Sequence, residues 1–533
     1  MILPLLLALQ AVPVPLAARG DTIRPLHDAL NHDITIVVSD SGTHMLGQVE
    51  SRWVLRSPLP VELQLDSALR VIRVLMDGKE NTRLFRTMYA RESGLVIIPH
   101  EKQPGDSLTT MIRYHGDVRD GLIIRDNAYG VRTMFADNWP DRAHGWLPVQ
   151  DEPGDKVTAS FHVEVPPGYR VIANGLLRKV DTLPRGRTIW HYRIDEPVPV
   201  YTLVFGAAPF AVTPLPSAAC DVKCVPLSVW TYPQDSAWAV DGPFRHAGDI
   251  VAWYSRLIGS FPYEDLAHVE STTRYGGMEN ASAIFYDEQA YARKRLDEQT
   301  VAHETAHQWF GDAVTEDDWH HVWLSEGFAT YFAALWVEHT GGRPALDSLM
   351  QRNAENVFKS PDTGRPILDL GTSDLPSLLN SNSYPKGAWV LHSLRGMLGD
   401  STFFRGIREY YRRFRNGTAL SSDLALVMSE AAGTDLDWYF TQALTQPGYP
   451  VLQFGWKYAR KRLELDVVQT QSAGWGTFRI PNLAIDVDGQ RYTIDVQGAR
   501  THAVIAGVER RPARIVVDPD HWWLLRSGVT AEQ

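Results

Sequence analysis

Two histidines flanking a glutamate form the first chemical pattern in this chain. His303 and His307 stand four residues apart in the segment HETAH, and Glu304 directly follows the first of them. On a helix this spacing places both imidazoles on one face, one turn apart, where each can give a nitrogen to the same zinc ion. Glu304 then lies next to the metal without binding it. The pattern predicts a zinc site in which Glu304 is the base that takes a proton from the attacking water.

A third ligand is predicted at Glu326, which follows His307 after eighteen intervening residues in WLSEGFATYFAALWVEHTGG. This segment has helical length, and Glu326 lies on its expected first turn. Two imidazoles and one carboxylate leave the fourth position of a tetrahedral zinc ion open for water, which is typical of a catalytic site. We therefore expect one Zn²⁺, held by His303, His307 and Glu326, that supports hydrolysis of an amide bond.

The segment YGGMEN, residues 275–280, precedes this motif and places Glu279 24 residues before His303. Its two glycines allow close backbone approach, so a peptide could add as a strand along Gly276, Gly277 and Met278. A buried carboxylate at Glu279 would pair with a free α-amine and fix it one residue from the scissile carbonyl. Cleavage would then be limited to amino-terminal bonds, although YGGMEN alone is equally consistent with a tight turn.

The residues named above must be positioned by the rest of the chain. The chain divides into three regions that differ in the periodicity of their apolar and polar residues. Short alternating apolar and polar runs predict an amino-terminal antiparallel β domain, longer amphipathic segments predict an α-rich middle, and alternation returns in the last part of the chain. The predicted fold class is thus multidomain α+β. The expected domain bounds are 25–215, 216–445 and 446–533, and the expected middle helices include 296–310, 324–339, 386–398 and 402–414.

The composition of the chain limits the classes of molecule that it could bind. The chain has 533 residues and a net charge of −11, which argues against binding to nucleic acid, because phosphate contacts need clustered Lys and Arg. An acidic chain suits a cationic substrate such as a peptide with a free amino terminus, and simple solubility explains the charge equally well. Beyond the amino terminus no stretch is apolar and long enough to span a bilayer, so we expect no membrane span in the mature chain.

The amino terminus indicates export, which bears on how the two cysteines are interpreted. Residues 2–18 carry no charge, and their length favours a signal peptide over 1–18, which predicts a periplasmic or extracellular protein. In an exported protein Cys220 and Cys224 could form a local disulfide, and two free thiols are an equal alternative. A C-x3-C pair alone lacks the four donors of a structural zinc site.

The combination of HETAH, Glu326 in WLSEGFA and the upstream YGGMEN resembles the aminopeptidase N and leukotriene hydrolase family of zinc metallopeptidases, the gluzincin aminopeptidases. Further similar landmarks are LPVQDEP at 147–153, SFPYEDLAHV at 260–269, SYPKGAWVL at 383–391 and QPGYP at 446–450. The resemblance implies a β domain, a thermolysin-like catalytic domain and a C-terminal β-sandwich. It also implies a short, bacterial-type member without the large C-terminal helical domain, whose open cleft would admit longer peptides.

The same resemblance implies two residue roles and shows one departure. Tyr384 matches the family tyrosine that donates a hydrogen bond to the tetrahedral oxyanion, and Glu279 matches the amine-binding glutamate. Family members place a second Glu or Gln nine residues before the proline of the LP-x-x-D segment, where this chain has Trp139. The second amine anchor is therefore missing or moved, and Asp137 or Asn138 would be its replacement.

These observations predict a zinc metallo-aminopeptidase that removes amino-terminal residues from peptides. A zinc endopeptidase or an epoxide hydrolase of the same fold is the alternative within the enzyme class. A catalytically silent peptide-binding module is the alternative outside it, and here His303, Glu304, His307, Glu326 and Tyr384 are all present.

Overall fold

The computed structural model describes residues 14–20, 25–80, 86–90 and 93–531. The predicted signal peptide over 1–18 lies mostly outside these residues. Within the described part of the chain, no helix is long and apolar enough to cross a membrane. The predicted order of a β-rich amino-terminal region, a helical catalytic region and C-terminal sheets is confirmed.

The amino-terminal region is built from strands whose alternating burial matches the period of two in the sequence. In β11 every second residue is buried, as expected for a sheet with one face on the core. The strands are β1 His27–Val38, β2 His44–Leu55, β3 Val61–Asp66, β4 Leu69–Met76, β5 Lys79–Glu80, β6 Arg86–Ala90, β7 Ser93–Ile98, β8 Ser107–Asp117, β9 Leu122–Asp126, β10 Arg132–Ala136, β11 Lys156–Val165, β12 Arg170–Ala173, β13 Leu176–Thr182, β14 Thr188–Pro199 and β15 Phe205–Ala208.

These strands form an eight-stranded sheet in the order β13-β14-β11-β1-β2-β8-β4-β5, a four-stranded sheet β12-β15-β10-β9 and a three-stranded sheet β3-β7-β6. Neighbouring strands are antiparallel, as predicted, except that β1 and β11 pair in parallel. This parallel pair joins two strands far apart in sequence, an arrangement that alternation alone does not predict.

The middle region combines a five-stranded sheet, in the order β16-β17-β18-β20-β19, with helices that pack beside it. Its strands are β16 Ala211–Ala218, β17 Val225–Thr231, β18 Leu266–Ser271, β19 Gly277–Met278, β20 Ala283–Asp287, β21 Val314–Glu316 and β22 Gly417–Ala419. Its helices are α1 Ser236–Asp241, α2 Ala247–Leu257, α3 Glu288–Ala292, α4 Glu298–His307, α5 Trp323–Gly341, α6 Arg343–Lys359, α7 Gly387–Leu398, α8 Asp400–Phe414, α9 Ser421–Ala432 and α10 Asp437–Thr445.

The two helices that carry the predicted metal ligands each have one end marked by the sequence. The Asp297 side chain accepts a hydrogen bond from Thr300 N and so caps the amino terminus of α4. Helix α5 ends at Gly342, whose φ of 76° suits a glycine. Nearly all of α5 up to Trp336 is buried, so this helix forms the centre of the middle region.

The C-terminal region contains two sheets, β27-β24-β23-β29 and β26-β25-β28, around an apolar core of their own. Its strands are β23 Val451–Ala459, β24 Arg462–Gln469, β25 Ile480–Val487, β26 Gln490–Val496, β27 Arg500–Ala506, β28 Ile515–Val517 and β29 Arg526–Ala531. The amino-terminal and middle regions instead share one continuous core, which includes Trp53, Trp146 and Trp309. Trp139 of the amino-terminal region and His303 on the HETAH helix line the same cleft.

Candidate active site

Helices α4 and α5 bring the three predicted metal ligands together. The distance between His303 Nε2 and His307 Nε2 is 3.1 Å, and Glu326 Oε2 lies 3.3 Å and 3.4 Å from these two nitrogens. Bonds of about 2.0–2.1 Å to a tetrahedral zinc ion require donor atoms about 3.3 Å apart. The three donor atoms therefore form a triangle of the size that a zinc ion needs.

Neighbouring groups set the orientation of these ligands. His307 Nδ1 lies 3.1 Å from the Phe310 carbonyl oxygen, which can only accept, so Nδ1 carries the proton and Nε2 keeps its lone pair for a metal. The Ser325 hydroxyl lies 3.0 Å from the same Nδ1. Glu326 Oε2 is buried and has no hydrogen-bond partner among the described residues, as expected for an oxygen whose partner is a cation. The residues present fit a zinc ion.

Glu304 lies on α4, the helix that carries His303 and His307, and it faces the cleft beside the three predicted ligands. Burial raises the pKa of its carboxyl well above the ordinary value, and the charges of Glu279 and Glu326 act in the same direction. A Cβ atom at Gly277 would collide with this carboxylate. Because Gly277 has no side chain, the backbone of β19 can pass directly over the carboxylate of the predicted base.

Strand β19 is an edge strand, since it pairs with β20 on one side and ends the sheet on the other. Its free edge faces the cleft that Gly276, Gly277 and Met278 line. An edge of this kind offers unpaired backbone groups to a peptide. The structure thus places the four predicted substrate-binding residues on one wall of the cleft, with Glu279 at the end of β19.

Glu279 is 5% exposed and lies close to the metal-ligand triangle. Gln308 Nε2 donates a 2.6 Å hydrogen bond to its backbone oxygen, which anchors the residue against the end of α4. Burial raises the pKa of the Glu279 carboxyl above its ordinary value. A carboxylate at this position gains from a cationic partner, because burial penalises an uncompensated charge.

Tyr384 reaches the site from a different direction. It lies in a π-helical turn, Asn382–Lys386, that leads into α7. Its hydroxyl donates a 2.7 Å hydrogen bond to Glu326 Oε1, and its ring stacks on the His303 ring at 6.0 Å. The phenol therefore lies at the rim of the metal-ligand triangle.

Trp139 occupies the position where a second amine anchor was expected. Its indole is 4% exposed, lines the cleft and packs edge-on against Tyr275 and Trp319 at ring distances of 6.0 Å and 5.5 Å. The predicted replacements do not line the cleft. Asp137 pairs with Arg142 at 3.3 Å and with Arg274 at 3.5 Å.

Asn138 is also committed elsewhere. Its amide donates to the Leu203 carbonyl at 2.7 Å and accepts from Trp146 Nε1 at 2.9 Å. Neither Asp137 nor Asn138 is therefore available as an amine anchor. The aromatic side chain of Trp139 therefore lies where a second polar anchor for the amine was expected.

The cleft also contains residues that the sequence prediction did not include. Its volume is about 390 Å³, within the range of small-ligand pockets. The additional lining residues are Tyr275, Asp297, Gln299, Thr300 and Leu379. Gln299 and Thr300 lie one helical turn before His303, a spacing that could have identified them, whereas nothing in the sequence marks Leu379.

Two groups of potential metal-binding side chains occur among the described residues. The first is His303, His307 and Glu326, and the second is Glu279, Glu304 and His307. The first group does not include Glu304, which the sequence predicts to be the base and not a ligand. Cys220 and Cys224 belong to neither group and form a disulfide, which resolves the two alternatives left by the sequence.

Comparison with known proteins points to one family. Residues 249–442 match the peptidase family M1 domain. The chain is 27% identical over 395 residues to the probable aminopeptidase 1 of Sulfurisphaera tokodaii, an alignment that covers 69% of this chain and 48% of that protein. It is 26% identical over 409 residues to aminopeptidase N of Streptomyces lividans, an alignment that covers 69% of this chain and 47% of that protein. The chain spans about half the length of these curated relatives.

The fold also matches solved structures. An M1 zinc metallopeptidase from Deinococcus radiodurans superposes with a TM-score of 0.68 at 24% identity, covering 80% of this chain and 96% of that chain. A mutant of that protein bound to a Tyr-Ser-Ala substrate superposes with a TM-score of 0.69 at 24% identity. This match covers 80% of the present chain and 95% of the mutant chain. These structures support the three-region architecture described above.

Proposed function

This chain carries the catalytic domain of the M1 peptidase family, and on that premise we propose that it is a zinc-dependent aminopeptidase. The observation that carries the proposal is the triangle of His303, His307 and Glu326 donor atoms, 3.1–3.4 Å on a side, with a glutamate base beside it. The proposed substrates are peptides with a free amino terminus. The Tyr-Ser-Ala substrate of the Deinococcus relative supports this substrate class.

His303, His307 and Glu326 would hold one zinc ion, which supplies, when bound, a Lewis acid that polarises a carbonyl and makes water more acidic. Glu304 faces the same cleft from the HETAH helix. We assign it the proton transfers, in which it takes a proton from the attacking water and returns it to the leaving amine. Its carboxyl is buried beside the proposed metal ligands, and this burial raises its pKa above the ordinary value.

Tyr384 is assigned to the oxyanion. Its hydroxyl is held at the cleft by the hydrogen bond to Glu326 and is not otherwise committed within the described chain. When a substrate carbonyl becomes tetrahedral, the proton of this hydroxyl can turn from Glu326 to the new negative charge. Such a preplaced donor stabilises the transition state more than the ground state.

Glu279 is assigned to the α-amine of the substrate. The carboxylate is buried, and an incoming ammonium group would supply the cation that it lacks. A peptide lying along the free edge of β19 would have its amino terminus at Glu279 and its first carbonyl next to the metal ligands. Trp139 and Tyr275 close the cleft on that side, so the amine pocket has one proposed acidic anchor and an aromatic wall.

An assay of amino-acid anilides tests this proposal. The zinc-loaded enzyme should hydrolyse them, a chelator should abolish the activity, and zinc added after removal of the chelator should restore it. Hydrolysis that survives complete removal of metal would contradict the proposal. A silent peptide-binding module would show no hydrolysis with or without the chelator.

Export from the cytoplasm is not addressed by this assay and stays a prediction from the amino-terminal sequence.

A further inference from the structure

Residues 14–20 precede the first strand of the eight-stranded sheet and contact the middle region of the chain. Leu16 is 6% exposed and belongs to the apolar core that the amino-terminal and middle regions share. A 2.9 Å hydrogen bond from Ala18 N to the Pro15 oxygen closes a turn around it, and the neighbouring Ala17 is exposed. One apolar side chain therefore anchors this segment, most of which the sequence predicts to belong to a signal peptide.

His321 binds the backbone of this segment. Its Nε2 atom lies 2.9 Å from the Ala18 oxygen, and Nε2 carries the proton because a carbonyl oxygen only accepts hydrogen bonds. Nδ1 is then an acceptor, and Ser421 N donates a 3.1 Å hydrogen bond to it. The buried imidazole thus joins the segment to the first residue of α9.

Two further contacts continue along the segment. Arg19 forms an ion pair with Asp317 and donates a 3.3 Å hydrogen bond from Nη1 to the Asp317 backbone oxygen. Gly20 lies so close to the His320 ring that a Cβ atom would collide with it. That ring is held in place, because its Nδ1 lies 2.6 Å from Asp318 Oδ1. The contact with Gly20 therefore leaves no room for a larger residue.

These contacts lie on both sides of Trp319, which begins a 3₁₀ turn that ends at His321. The segment contacts Asp317 before this tryptophan, and His320 and His321 after it. Trp319 is 1% exposed, and its ring packs against the Trp139 ring at 5.5 Å. Because Trp139 lines the cleft, one buried tryptophan connects the segment to the cleft wall.

We infer that residues 16–20 form a strap, which holds the turn of Trp319 and thereby positions the Trp139 indole at the cleft. The residues of the strap do not line the cleft themselves, so the strap acts through Trp319 and not on the substrate. The effect on substrate binding rests on the proposed function. The docking of the strap does not.

The strap also limits where a leader could be removed. A cut after Ala18, where the predicted signal peptide ends, would remove the contacts of Leu16 and Ala18. The inference therefore predicts that the mature chain begins at or before Leu16. Mass spectrometry of the amino-terminal peptide of the enzyme from its natural source checks this, and an amino terminus after Leu16 would contradict it.

Limited trypsin digestion of the full-length chain, produced without export, tests whether the strap is docked. Arg19 is the first Lys or Arg of the sequence, so cleavage after it releases one defined peptide. The test variant is Leu16→Asp, and the matched control is Ala17→Asp, which adds the same charge at an exposed position. Cleavage after Arg19 should be at least about tenfold faster in Leu16→Asp than in wild type or control, because proteolysis follows the population of the open state.

Hydrolysis of amino-acid anilides by the same zinc-loaded proteins tests the positioning role. Leu16→Asp should raise KM by about fivefold while kcat and zinc content change little, because the cleft wall moves and the metal ligands do not. Gly20→Ala is a second variant for the case that Leu16→Asp folds poorly. Its methyl group would meet the fixed His320 ring, so it should show the same rise in KM.

Equal cleavage after Arg19 in wild type, Leu16→Asp and Ala17→Asp would overturn the inference, because the segment would then be undocked already in wild type. Faster cleavage with an unchanged KM would also overturn it, since the strap would have no effect on the cleft. A wild type without anilide hydrolysis would instead refute the proposed function. The affinity of the same proteins for a free peptide, measured by calorimetry, would then take the place of KM in this test.

Discussion

The Tyr384 hydroxyl donates a 2.7 Å hydrogen bond to Glu326 Oε1, which joins the proposed oxyanion donor directly to a proposed metal ligand. This bond occupies one oxygen of the carboxylate and leaves Oε2 facing His303 and His307. It also holds the phenol in place before substrate arrives. Orientation of the metal ligand and preparation of the oxyanion site thus depend on the same contact.

Tyr384→Phe should lower kcat by about 100–1,000-fold, because it removes one preplaced hydrogen-bond donor from the transition state. The three metal ligands remain, so zinc content should stay near that of wild type. Steady-state kinetics together with metal analysis checks both parts. Tyr275→Phe is the control, since its hydroxyl lies on the cleft wall 3.5 Å from the Trp139 backbone oxygen. Loss of zinc in Tyr384→Phe would instead identify the tyrosine as support for Glu326.

Glu304→Gln should retain zinc and lose turnover by at least about 100-fold, because the amide cannot accept and return a proton. The matched control is Glu298→Gln on the first turn of the same helix, where the carboxylate contacts His246 and Trp336. Single-turnover rates should separate the two variants, whereas their metal content should be the same. Near-normal turnover in Glu304→Gln would remove it as the base.

Glu279→Gln should weaken recognition of the free amine while leaving the metal ligands intact. Loss of one partner of a buried charge pair costs about 2 kcal/mol or more, which corresponds to a fall in kcat/KM of about 30-fold. The slow background hydrolysis of an amino-acetylated substrate should change much less, because that substrate has no ammonium group. A parallel fall for both substrates would show that Glu279 serves the fold or the metal instead.

His32 provides a prediction about stability in acid. Its side chain is 1% exposed, its Nδ1 lies 2.9 Å from Ser51 Oγ, and burial lowers its pKa from 6.5 to about 4. Below pH 6.5 the unfolded chain takes up a proton that the folded chain resists. The stabilisation is therefore complete above pH 6.5 and is lost as the pH falls towards 4, by about 3 kcal/mol.

Thermal unfolding midpoints measured between pH 7 and pH 4 should fall less steeply for His32→Gln than for wild type. The glutamine can keep a hydrogen bond to Ser51 but does not titrate. His44→Gln, at a half-exposed histidine, is the control and should keep the wild-type slope. Identical slopes for all three proteins would show that His32 does not contribute to acid sensitivity.

The metal ligands could be predicted from the sequence because helical periodicity fixes their relation. Residues four apart on a helix share a face, so His303 and His307 had to meet at one point once α4 formed. Glu326 could be placed on the first turn of the following helix, although its contact with the two histidines depends on how α5 packs against α4. These local rules hold whatever the rest of the chain does.

Contacts between distant segments could not be predicted in this way. Three contacts in the site depend on how separate elements pack. They are the Ser325 hydroxyl beside His307, the passage of Gly277 over Glu304 and the edge-on contact of Trp139 with Trp319. The same holds for the parallel pairing of β1 with β11, which is a matter of strand order. Periodicity predicts which residues of a strand face inward but not which strand lies beside it.

The central claim is that this chain removes single residues from free amino termini. The most direct test uses two peptides of one sequence, one with a free amino terminus and one acetylated, incubated with the zinc-loaded enzyme and analysed by mass spectrometry over time. We expect stepwise loss of amino-terminal residues from the free peptide and, over the same time, much slower cleavage of the acetylated peptide. Internal cleavage, or equal rates for both peptides, would contradict it.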